Sequence, residues 1–66
     1  MKYIVVNSTP GREGIAFLKS GRTGFPCENN PPRLYEAVTD AENHARLLRS
    51  MLGGEWHPED YAARQN

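Results

Sequence analysis

Cys27 is the only cysteine in a chain of 66 residues, and this limits how such a chain can hold a fold together. A chain of about 60 residues buries only about 60% of the surface its unfolded form exposes, so many small domains are stapled by disulfides or a metal. Cys27 has no second cysteine to pair with, and it shares no short ligand spacing with His44 or His57. The expectation is one small domain over residues 1–66, held by packing alone, with no metal site and no cofactor.

The first half of the chain reads as a hairpin over residues 2–19. Lys2-Tyr3-Ile4-Val5-Val6-Asn7 is a β-branched and aromatic run of strand length. Thr9-Pro10-Gly11-Arg12 follows, with proline and glycine where a type II turn needs them. Gly14 to Lys19 gives a second strand, with Ile15 and Phe17 on one face and Ala16 and Leu18 on the other. Both strands are apolar on both faces, so one side of the sheet is expected to be covered within the chain and the other to meet a partner.

Residues 20–32 read as a loop. Their prolines, glycines and asparagines deny them a regular ladder, and Phe25 is the large apolar group expected to pin them to the core. The related stretches Gly11-Arg12-Glu13-Gly14 and Gly21-Arg22-Thr23-Gly24 fit turn chemistry better than phosphate-binding loops, because neither opens directly into a helix.

The stripe Leu34, Ala37, Val38, Ala41, Ala45, Leu48, Leu52 permits one long helix after Pro32. Thr39-Asp40-Ala41-Glu42 instead has the capping-box pattern, which favours a strand over 33–38 and a helix over 40–52. Gly53-Gly54 ends that helix. In the tail, 53–66, Trp56 is the expected anchor, and Pro58 followed by Glu59 and Asp60 suits a short helical start that packs Tyr61, Ala62 and Ala63. The fold class is α+β: a small antiparallel sheet, hairpin plus third strand, on one amphipathic helix, with a short C-terminal helical turn.

No catalytic constellation stands out. Cys27 follows Pro26 with no motif around it, and Asp40 and Glu42, like Glu59 and Asp60, are explained by helix-start electrostatics. His44 falls beside the apolar stripe, where a histidine at the core margin with one nitrogen satisfied is expected. The eight Lys+Arg balance the eight Asp+Glu, unlike the strongly basic footprint of a dedicated nucleic-acid binder. The charges are nevertheless segregated. Residues 1–35 carry five cations against two carboxylates, and residues 36–66 carry three against six. Arginine and aromatic residues are enriched at protein interfaces, which makes Arg22, Arg33, Arg46, Arg49, Trp56 and Tyr61 the candidate partner-binding residues. Arg46 and Arg49 are expected on the outer helix face with Glu42, which is placed to pair with Arg46 at i,i+4.

The chain resembles a class of small phage or mobile-element accessory proteins that includes anti-CRISPR and other anti-defence inhibitors. The resemblance rests on size, a reading frame that opens on Met1, Lys2-Tyr3-Ile4-Val5-Val6, and Val38-Thr39-Asp40-Ala41-Glu42 before the amphipathic helix. It implies a non-enzymatic protein-binding module that docks on a larger host protein or complex and inhibits it. A small nucleic-acid or nucleotide binding module is the alternative, using Arg12, Arg22 and Arg33. A homodimeric subunit pairing through the edge of Lys2–Asn7 is the third. No purely apolar run is longer than Tyr3 to Val6, which predicts neither a membrane span nor a signal-peptide core and suggests a cytoplasmic setting.

Overall fold

The computed structural model describes residues 2–64, without the side chains of Ala63 and Arg64. In chain order its elements are β1 (Tyr3–Asn7), β2 (Ala16–Phe17), β3 (Thr23–Gly24), α1 (Val38–Leu52), β4 (Trp56–Asp60) and α2 (Tyr61–Arg64). The strands form one antiparallel sheet in the order β3-β2-β1-β4. This is the expected α+β class, with the sheet assembled differently.

The hairpin forms with its expected turn, but its second strand is shorter than the expected Gly14 to Lys19: β2 is Ala16–Phe17 and pairs with β1 at Val6 and Ala16. Arg12 N–H donates to the Thr9 carbonyl at 2.8 Å, and Gly11 takes φ 86°, the positive value of a type II turn. Val5 faces α1 and packs with Ala41, Ala45, Leu48 and Trp56, while Ile15, Phe17, Tyr3 and Tyr35 pack around them. Ile4, Val6 and Ala16 form a second cluster on the other face, with Tyr61 against it. The face expected to meet a partner is thus closed within the chain at its centre.

β4 replaces the predicted helical start at Pro58. It pairs with β1 along its whole length, from Tyr3 opposite Asp60 to Asn7 opposite Trp56. Tyr61 N–H to Lys2 O and Ser8 N–H to Glu55 O, both 3.0 Å, extend this register and set its phase. His57 and Glu59 therefore turn their peptide groups toward β1, and Pro58 faces the open edge, where its missing N–H costs no ladder bond. The helical turn begins three residues later than predicted, with the Asp60 carboxylate accepting from Ala62 N–H at 2.9 Å. The packing expected of Ala63 lies outside the described residues. Because β1 is an interior strand, the Lys2–Asn7 edge proposed for dimer pairing is already occupied.

The predicted strand over 33–38 is replaced by two isolated bridges, Leu18 to Pro32 and Tyr3 to Tyr35. β1 and β2 are paired at Val6 and Ala16, and the chain from 31 to 35 takes the same bonding edges where the two strands part. Lys19 N–H donates to Pro31 O at 3.0 Å and Arg33 N–H to Phe17 O at 2.9 Å, while Tyr3 and Tyr35 each donate their N–H to the other's carbonyl at 2.8 Å. This wedge is too short and too bent for a strand because Pro31 and Pro32 have no N–H to give.

The expected loop over 20–32 also contains structure. Gly21 N–H bonds to Leu18 O at 3.0 Å, which closes a tight turn into β3. Phe25 does not pin this segment, since it is 67% exposed. α1 starts at Val38, with extended Ala37 at the cap position and no side-chain cap bond. Thr39 already lies inside the helix, so the predicted capping box does not form. The buried stripe is narrower than expected: Ala41, Ala45 and Leu48 are buried, and Leu34, Val38 and Leu52 are exposed.

The helix ends as predicted at Gly53, whose N–H bonds to Arg49 O at 3.1 Å. Gly54 then passes against the corner of β1. A Cβ there would meet the Asn7 side-chain nitrogen at 3.0 Å and the Thr9 hydroxyl at 3.1 Å, at φ 92°. Both side chains are held in place, Asn7 through its Oδ1, which accepts from Thr9 N–H, and Thr9 through its hydroxyl, which accepts from Glu55 N–H. Gly54→Ala is expected to lower stability by about 1–3 kcal/mol. Gly11→Ala, with nothing within 4 Å, should show only the left-handed backbone penalty of about 1–2 kcal/mol. Urea midpoints of the two variants, with Gly54→Ala the lower, test this close approach.

Candidate functional site

The six sequence-based candidates do not converge. Trp56 is 3% exposed and donates its indole N–H to Gly53 O at 2.9 Å, so it belongs to the core and not to a partner surface. Tyr61 packs on the cluster of Ile4, Val6 and Ala16. Arg49 donates to Trp56 O at 3.0 Å and pairs with Glu42 at 3.4 Å, taking the carboxylate expected to pair with Arg46. Both partners of that pair are about 40% exposed, where such bridges contribute little. Arg46 lies exposed on the outer face of α1. Arg22 and Arg33 are exposed at the β2–β3 end of the sheet, and they sit on opposite faces by cross-strand register.

Arg33 does find company, from a residue the sequence reading passed over. In the wedge register Lys19 lies opposite Pro31 and Arg33 opposite Phe17, so Lys19 and Arg33 are diagonal neighbours on the helix side of the sheet. They border an open cleft of about 470 Å3 with Pro31, Pro32 and Leu34, within the ~300–1,000 Å3 range of ligand pockets. Among the described residues neither cation makes an ion pair. The carboxylates Glu55, Glu59 and Asp60 lie at the far side of the sheet, in or next to β4. The segregation seen along the chain thus becomes a segregation across the sheet.

Next to the cleft stands an aromatic cluster. The Tyr35 hydroxyl hydrogen-bonds to His44 Nδ1, and the Phe17 ring meets His44 edge-on with centroids 4.4 Å apart. His44 is thus the core-margin histidine expected from sequence. Partial burial, and then the nearby Arg33 guanidinium, hold its pKa below the ordinary 6.5. Burial pushes the Tyr35 phenol above 10, against a smaller opposing pull from Arg33. Along α1, Asp40, His44, Leu47 and Met51 follow the i, i+4, i+7, i+11 stripe. Leu47 and Met51 are 52% and 69% exposed. His44, within reach of the Arg33 charge, thus shares its helix stripe with two exposed apolar side chains, and the cleft and the stripe lie on the same, helix-bearing side of the sheet.

Two other places gather polar or reactive side chains. A cleft of about 490 Å3 on the opposite face is lined by Ile4, Pro26, exposed Cys27 and Tyr61, among others. At the β1–β4 corner, His57 Nε2 lies 2.9 Å from the Glu59 carboxylate and its Nδ1 lies 3.5 Å from the Ser8 hydroxyl. That hydroxyl also reaches Glu55 O at 3.3 Å, so its proton is shared with a backbone acceptor. The distance to the imidazole is long for an activated nucleophile.

No protein-family model, curated protein or solved structure matches this chain.

The aromatic cluster makes a prediction about pH. The folded chain binds a proton at His44 less readily than the unfolded chain does, so stability should fall as pH drops through and below 6.5. At the alkaline end the raised Tyr35 holds its proton better when folded, so stability should fall as pH rises through 10. Urea midpoints measured from pH 5 to 8, values chosen to span the ordinary histidine range, should show the acid-side slope in the wild type. His44→Gln should flatten it.

Proposed function

We propose that this chain is a non-enzymatic protein-binding module that docks on a larger protein and inhibits it, as the resemblance to phage anti-defence proteins implies. The observation that carries the reading is the mixed surface: Lys19 and Arg33, without an ion pair among the described residues, stand beside exposed Leu34, with exposed Leu47 and Met51 on the helix stripe that runs through His44. Large apolar side chains left in water next to cations are what a protein partner would cover. The whole chain exposes 4428 Å2, so a standard interface of about 800 Å2 per partner would take roughly a fifth of it. Small size is no obstacle to such a role.

The charge layout supports docking with a preferred orientation. A basic end and an acidic end give the chain a dipole that steers an approaching partner of opposite sign toward the Lys19–Arg33 side.

The test is capture with the tagged chain from lysate of the source organism, or of its host if the gene is phage-borne, with and without nuclease. A near-stoichiometric protein that survives nuclease is the expected result. The double variant Lys19→Glu/Arg33→Glu should weaken capture at least ~10-fold, or about 1.4 kcal/mol, with an unchanged urea midpoint. Arg46→Glu, away from the cleft, should capture normally. Nucleic acid in the eluate would favour the nucleic-acid module instead, and a bait recovered only with itself would favour a homo-oligomer.

A further inference from the structure

We propose that the Lys19–Arg33 cleft receives an acidic, apolar segment of the partner protein, its carboxylate between the two cations and its apolar side chains on Leu34 and on the Leu47–Met51 stripe. This deepens the protein-binding reading and rests on it. The cleft has two cations and an apolar floor. Arg33 presents a planar fork of donors and Lys19 a compact ammonium, so one carboxylate can be met from two directions. Pro31 and Pro32 contribute ring surface and no backbone N–H, and exposed Leu34 completes the wall.

A nucleic-acid backbone fits this layout less well. Phosphates recur along a strand and call for a row of cations. Here Arg22 turns to the other face, and the residues that continue the surface along α1 are Leu47 and Met51. An acidic peptide with interspersed apolar residues matches both the charge and the apolar continuation.

The geometry also supplies a reporter. His44 is faced by the Tyr35 hydroxyl and the Arg33 guanidinium from the wedge and by the Phe17 ring from β2, and Asp40 lies one turn before it on α1. A carboxylate seated on Arg33 compensates the positive charge that disfavours the imidazolium. Occupancy of the cleft therefore makes His44 easier to protonate, and protonation of His44 in turn favours the acidic ligand.

The experiment is a titration of the full isotope-labelled chain, followed by its amide and histidine ring signals. The probe is a synthetic peptide of about 12 residues built on a Glu-Glu-Leu repeat, a length that suits segment-in-groove recognition. The same peptide with Gln for Glu, and an oligothymidylate of equal length, are the controls. The expected result is saturable shifts centred on the Lys19, Arg33 and Leu34 amides, and an upward move of the His44 titration. Binding should be at least ~10-fold weaker for the Gln peptide and be lost in Lys19→Glu/Arg33→Glu. Equal affinity for the Gln peptide, stronger binding of the oligothymidylate, or no site-specific shift at millimolar peptide would each overturn the proposal. If such a failure accompanied a lysate partner still held by Lys19→Glu/Arg33→Glu, the docking module would stand and only this cleft would be wrong.

Discussion

Everything in this molecule is built around β1. Ile4, Val5 and Val6 are consecutive and none is more than 2% exposed, which requires cover on both faces of one strand. α1 and Trp56 cover the face of Val5, and Ala16 and Tyr61 lie with Ile4 and Val6 on the other. The backbone of the same strand is bonded on both edges, along β4 on one side and to β2 and the wedge on the other. A chain of this size cannot bury many apolar groups, so concentrating them on one central strand lets each covering element do two jobs. β4 supplies both a hydrogen-bond partner and the Trp56 indole.

The wedge from 31 to 35 follows from the same constraint. β2 is short, and the bonding edge of β1 beyond Val6 would face water without Tyr35. Filling that edge brings Arg33 opposite Phe17 and sets Tyr35 beneath His44 on α1. A repair of the sheet thereby positions the cations and aromatics of the candidate surface. Arg33 then serves as a charge at the rim of the cleft and as a field on His44, which links surface chemistry to the packing beneath it.

The acidic side of the molecule has a structural origin too. Glu59 and Asp60 read from sequence as a helix start because acids after a proline favour one. In the fold they sit at an edge strand, where Pro58 leaves the outer edge without one donor and the charges discourage pairing with another chain. The open edge of the sheet is thus guarded, and the candidate docking surface lies at the other side.

Local chemistry was sufficient for the parts of the fold that are local. Pro10-Gly11 specifies its turn, Gly53 stops the helix, the 3.6-residue spacing of Ala41, Ala45 and Leu48 specifies the buried side of α1, and the β-branched run specifies β1. In each case the interaction spans a few residues, so the sequence carries it in plain view. The remaining features rest on contacts between residues far apart in the chain. Trp56–Asp60 became a strand because β1, some fifty positions earlier, offered it a bonding edge, and that pairing outweighs a proline's local preference. Residues 33–38 are bonded to the sheet only at isolated points, Arg33 with Phe17 and Tyr35 with Tyr3, because the segment enters through Pro31 and Pro32, which have no N–H to give. Arg33 was legible as a candidate and Lys19 was not, since nothing in the spacing of 19 and 33 shows that the chain folds them onto one face. Trp56, chosen for its type, went to the core, where a large aromatic side chain buries most area in a chain with few of them.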